Sequence, residues 1–103
     1  MEYITINGEQ KPFRFSLRAL KRLEAAVGKD SFNKVMSGEQ DGMAQMIVLA
    51  ERVLFIGLSE GAKKAKDKFE LTVEQVEDIV DDGGMPFLEE IMALLEKCIV
   101  SPK

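Results

Sequence analysis

Hydrophobic positions at the start of the chain recur at every second residue. In Tyr3-Ile4-Thr5-Ile6 the two isoleucines share a face, Asn7-Gly8 supplies two residues tolerant of positive φ, and Phe13-Arg14-Phe15 resumes the alternation. The spacing predicts a β-hairpin over residues 1–15. Gly8-Glu9-Gln10-Lys11 offers a longer loop as an alternative, and Pro12 confines the second strand to an edge. A lone hairpin is marginal in water, so this one must pack on helices or on another subunit.

From Ser16 the period lengthens to that of a helix. Ser16 reads as an N-cap, and Leu17, Leu20, Leu23, Glu24 and Val27 follow at helical spacing to Gly28. The leucines and valine form the docking seam, which places Arg18, Lys21 and Arg22 outside. Asp30 or Ser31 caps a short second helix through Phe32, Val35 and Met36, closed by Gly38 and the polar turn Glu39-Gln40-Asp41-Gly42. Asp41 caps a third helix from about Met43 to Leu58, apolar almost all round and therefore central or covered by a partner. Gly57 and Gly61 weaken helical preference beyond it, and the lysines from Lys63 to Lys68 predict a solvated, mobile loop near 62–70.

Thr72-Val73-Glu74-Gln75 matches a capping box. It opens a short helix carrying Val76, Ile79 and Val80 that stops at Gly83-Gly84. Pro86 suits the first turn of a final helix, whose stripe is Phe87, Leu88, Ile91, Leu94, Leu95, Cys98 and Ile99. The fold class is mainly α: a small helical domain of four to five helices with an N-terminal β-hairpin. At 103 residues the chain reads as a single domain, a hairpin over 1–15 and a helical body over 16–100.

Composition narrows the chemistry. Apolar residues at 46% and charged residues at 31% are those of a folding chain. The absence of histidine removes the usual neutral-pH acid/base and the commonest metal ligand. A single cysteine, Cys98, excludes an internal disulfide and a thiolate metal cluster. No metal or other cofactor is expected, and the chain is not expected to be an enzyme. Met43 to Leu58 is too short and, with Gln45, Glu51 and Arg52, too polar to span a membrane. Residues 1–5 carry no secretory pattern, so a cytoplasmic setting is expected.

Local motifs mostly have plain explanations. Asp67 to Glu74 resembles the exit of a calcium loop, but the stretch before Thr72 offers lysines where that loop needs oxygen ligands, and Asp30-Ser31-Phe32, a phosphopantetheine-like triplet, reads as a helix cap. Cys98 lies on an apolar stripe with no imidazole to activate it. Adjacent acids such as Asp81 and Asp82 point apart on a helix. Nine acidic and no basic residues lie between Phe69 and Glu96, whereas Lys11 to Lys34 carries seven basic and two acidic. Lys11, Arg14, Arg18, Lys21 and Arg22 are the patch to test for nucleic acid, but it lacks interleaved aromatics and a net charge of −4 opposes it. Met43, Met46, Met85 and Met92 sit on or beside apolar helices, where flexible methionine fills a core or suits a groove accepting variable apolar partners.

The order of these pieces resembles the tail assembly chaperones of long-tailed bacteriophages and prophages. Ile4-Thr5-Ile6-Asn7-Gly8 and Phe13-Arg14-Phe15 are followed by Ala19-Leu20-Lys21-Arg22-Leu23-Glu24 ending at Gly28. Then come an apolar helix ending Phe55-Ile56-Gly57-Leu58, a lysine-rich loop, and Leu71-Thr72-Val73-Glu74-Gln75-Val76-Glu77-Asp78-Ile79 with a final amphipathic helix. The lysine-rich stretch departs from the more neutral loop of that family. The resemblance implies a non-catalytic chaperone in the host cytoplasm, absent from the mature virion, that coats the tape measure protein until tail tube subunits replace it. In that family a longer frameshifted product is common. The contact residues expected on this reading are Met43, Met46, Leu54, Leu58, Met85, Met92 and Leu95. A homo-oligomer through the hairpin edge is a further expectation, and a nucleic-acid-binding or regulatory module of a mobile element is the alternative.

Overall fold

The computed structural model describes residues 2–37 and 42–100. Two antiparallel strands, β1 (Glu2–Ile6) and β2 (Glu9–Phe13), precede four helices: α1 (Leu17–Val27), α2 (Lys29–Met36), α3 (Met43–Ala65) and α4 (Val73–Val100). The chain is mainly helical with an N-terminal hairpin, as its hydrophobic periods predict.

Asn7 and Gly8 form the hairpin turn with φ of 52° and 82°, the paired positive values of a two-residue type I′ connection. The register follows, with Ile6 opposite Glu9 and Glu2 opposite Phe13. The turn therefore closes at two residues, and Glu9 to Lys11 are strand instead of loop. Ile4, Ile6 and Phe13 are buried together, and Phe15 stacks on Phe13 with ring centroids 6.1 Å apart.

β2 lies directly on α3. The Arg14 N–H donates to the Gly57 carbonyl at 3.0 Å. A Cβ built on Gly57 would fall within the Phe13 ring, and one on Gly61 within the Pro12 carbonyl. The two glycines, expected to weaken the helix, instead let a strand backbone press against a helix that continues past them. This corrects both the end of α3 and the start of the loop. Ala62, Lys63, Lys64 and Ala65 are helical, because alanine and lysine favour the conformation and the lysines complement the negative helix end. Lys66 ends the helix in left-handed conformation, and only residues 67–72 lack regular structure. Phe69 meets Phe55 edge to face, with centroids 5.3 Å apart, fastening that segment to α3.

α1 is turned from its expected orientation. Ala19 and Leu23 are its buried residues, whereas Leu17 is 80% exposed. Arg18 and Arg22 face α3 instead of lying outside. The small Ala19 side chain allows close approach, and a glutamate on α3 draws the arginines. Ser16 precedes α1 in extended conformation, but its hydroxyl makes no cap bond. α2 begins at Lys29, immediately after Gly28, whose carbonyl accepts the Phe32 N–H at 3.0 Å. Asp30 and Ser31 thus lie in its first turn and do not cap it. Gly38 and Asp41, expected to close α2 and cap α3, lie outside the described residues, as do the side chains of Val35 and Ile99.

The Thr72 capping box forms as its spacing predicts. The Gln75 N–H donates to Thr72 Oγ1 at 3.1 Å, and the Thr72 N–H donates to Gln75 Oε1 at 2.8 Å. Gly84, at φ 69° and ψ −164°, breaks α4 into two segments, with Pro86 near the start of the second. Val76 and Val80 from the first segment, and Leu88, Ile91 and Leu95 from the second, join α1, α3 and the hairpin in one core. An ion pair of 3.1 Å between Lys97 and Glu2 ties the end of α4 to β1. No helix among the described residues is long and apolar enough to cross a membrane.

Candidate functional site

The seven expected contact residues separate by burial. Met43 is 58% exposed and Met85 45%, and Met46 and Met92 are half-buried. Leu54, Leu58 and Leu95 are buried in the core. Burial places these three in the core that joins α3 and α4, and not on a contact surface. Four large apolar side chains outside that set are exposed instead, namely Tyr3, Leu17, Met36 and Val48. Met36 and Met43 flank the segment 38–41 at the end of α2 and the start of α3.

A polar cluster joins α1 to α3. Glu60 is only 3% exposed, yet it accepts from Arg18 Nε (3.0 Å) and Nη2 (2.8 Å) at Oε1 and from Arg22 Nη1 (2.7 Å) at Oε2. Arg22 also donates to Ser59 Oγ at 3.3 Å. Burial opposes ionisation of Glu60, but hydrogen bonds from Arg18 and then Arg22 outweigh it and hold the carboxyl below its usual range. Of the five basic residues considered for nucleic acid, Arg18 and Arg22 therefore share one carboxylate.

Two clefts open on the surface, the smaller of them beside this cluster. The larger, about 700 Å³, runs between the hairpin, the end of α3, segment 67–71 and α4. Ile6, Leu58, Phe69, Leu71 and Ile79 supply its apolar walls, and Glu9, Lys11, Lys68 and Glu70 its charged ones. The smaller, about 500 Å³, is lined by Arg14, Ser16, Arg18, Glu60, Lys63, Lys64 and Lys66. None of Arg14, Lys63, Lys64 and Lys66 has an ion pair among the described residues.

No family model, curated protein or solved structure matches this chain. Cys98 is half-buried, and burial, aided by the Glu2 carboxylate, pushes its thiol up, away from the thiolate a nucleophile needs. Among the described residues no group of His, Cys, Asp and Glu side chains is placed to hold a metal ion. Exposed methionine, by contrast, adapts its shape to apolar partners of varied sequence.

Proposed function

We propose that this chain is a non-catalytic tail assembly chaperone of a long-tailed phage or prophage. It holds the tape measure protein soluble in the host cytoplasm until tail tube subunits displace it, and it does not remain in the virion. The observation that supports this most directly is the exposure of Met36, Met43 and Met85 on a molecule whose other large apolar side chains mostly enter one core. A tape measure chain presents long amphipathic helices before the tube encloses them. Flexible, polarizable side chains cover such surfaces without demanding one sequence, and a few exposed contacts permit later release. The ordered resemblance of the hairpin, the apolar α3 and the capped α4 to that family supports the same reading.

Co-expression with the tape measure protein tests it. The tape measure should stay in the soluble fraction and co-purify with this chain, and Met43→Asp with Met85→Asp should reduce its recovery. A tape measure equally soluble alone, and never recovered with this chain, overturns the proposal.

A further inference from the structure

The cationic cleft and the first segment of α4 are complementary in charge. Arg14, Lys63, Lys64 and Lys66 converge on the cleft without ion pairs among the described residues. On α4, Glu74, Glu77, Asp78 and Asp81 stand at positions i, i+3, i+4 and i+7. They form one exposed stripe opposite the buried Val76 and Val80, also without ion pairs among the described residues. Within one molecule no ion pair joins the two surfaces among the described residues. Burial and then the neighbouring Glu77 raise the carboxyl of Glu51 on α3, Arg52 opposes them and Asp81 adds to the rise, so this end of the stripe faces Glu51. Lys63 lies twelve positions from Glu51 on α3, roughly 18 Å along the helix axis, which sets the end of the stripe that faces Glu51 more than two Debye lengths from Lys63 at physiological salt.

We propose that a second copy of this chain docks its acidic stripe, Glu74, Glu77, Asp78 and Asp81, into the cleft formed by Arg14, Lys63, Lys64 and Lys66. Both halves of the contact are present on this chain, and a helical stripe of carboxylates suits a line of lysines and an arginine fork. Nucleic acid fits less well, because Phe13 and Phe15 beside the cleft are buried and offer no ring for a base, and the acidic stripe repels phosphate. The contact does not depend on the chaperone reading, since its test contains no tape measure protein.

Sedimentation velocity of the full chain at several concentrations decides the matter. In low salt a faster-sedimenting species should grow with concentration, and added salt should shift it back to monomer. The triple variant Lys63→Glu, Lys64→Glu, Lys66→Glu should lose that species, as should the double variant Asp78→Lys, Asp81→Lys. A chain carrying both sets should regain it, whereas Lys21→Glu on the exposed face of α1 should leave it unchanged. Circular dichroism checks that each variant is folded. If a variant is not, the salt response of the unaltered chain still decides, because association indifferent to salt overturns the proposal. It is also overturned by a monomer at every concentration, by a combined variant that stays monomeric, or by a monomeric chain that shifts duplex DNA through the same lysines.

Discussion

Glu60 is the one buried charge among the described residues, and its two arginines reach it from another helix. Glu60→Ala leaves two guanidinium groups facing each other without their carboxylate. It should lower stability by about 2 kcal/mol, less than for a fully enclosed pair because both arginines also reach water. Folding lowers this carboxyl below 4.5, so its contribution is complete above that pH and disappears as pH falls through the folded value. Thermal unfolding of the parent and variant should therefore converge in acid. Glu51 behaves oppositely. Desolvation, then Glu77, raise its carboxyl, Arg52 opposes them and Asp81 adds to the rise. Its charge carries no penalty below the unfolded value of 4.5 and a growing one as pH rises through the folded value. Glu51→Gln should stabilise the chain at neutral pH by on the order of 0.5 kcal/mol and lose that advantage in acid. The spacing of Arg18 and Arg22 was visible in the sequence as one helical face. Their partner, 42 residues away from Arg18, was not, because nothing local reports how α1 is rotated against α3.

At the scale of elements, features governed by neighbouring residues were legible and those governed by distant ones were not. The Asn7-Gly8 turn and the Thr72 box are closed by bonds within a few residues, so their residue types suffice to name them. Gly57 and Gly61 are different. In a helical pattern glycine reads as a weak point, and only the strand lying across α3 shows that space was the requirement. Gly61→Ala tests this directly. Alanine favours a helix over glycine by about 1 kcal/mol, yet the added methyl meets Pro12 backbone, which has nowhere to move. Overpacking of about 1–3 kcal/mol should win, giving a net loss of thermal stability. If Gly61→Ala instead raises the melting temperature, the close contact between β2 and α3 is wrong.

For the molecule as a whole, the division between Met43 or Met85 and Leu54 or Leu95 separates shielding from folding. Met43→Asp and Met85→Asp lie at exposed sites and should change stability by no more than about 0.5 kcal/mol while reducing capture of an apolar partner. Leu54→Ala should cost about 2–5 kcal/mol by opening a cavity in the core, with capture lost only as the fold is lost. Equilibrium denaturation beside co-purification measures both. The sequence placed all seven contact candidates on apolar helices, but periodicity is identical for a face that packs inward and one that waits for a guest. Only burial tells them apart. The hairpin's dependence on α3 bears also on synthesis. Residues 2–13 leave the ribosome well before 57–61 exist, and a two-stranded ribbon holds poorly by itself. Until that helix is made, Ile4, Ile6, Phe13 and Phe15 have no shelter, so the first half of translation is when this molecule would itself most need a caretaker.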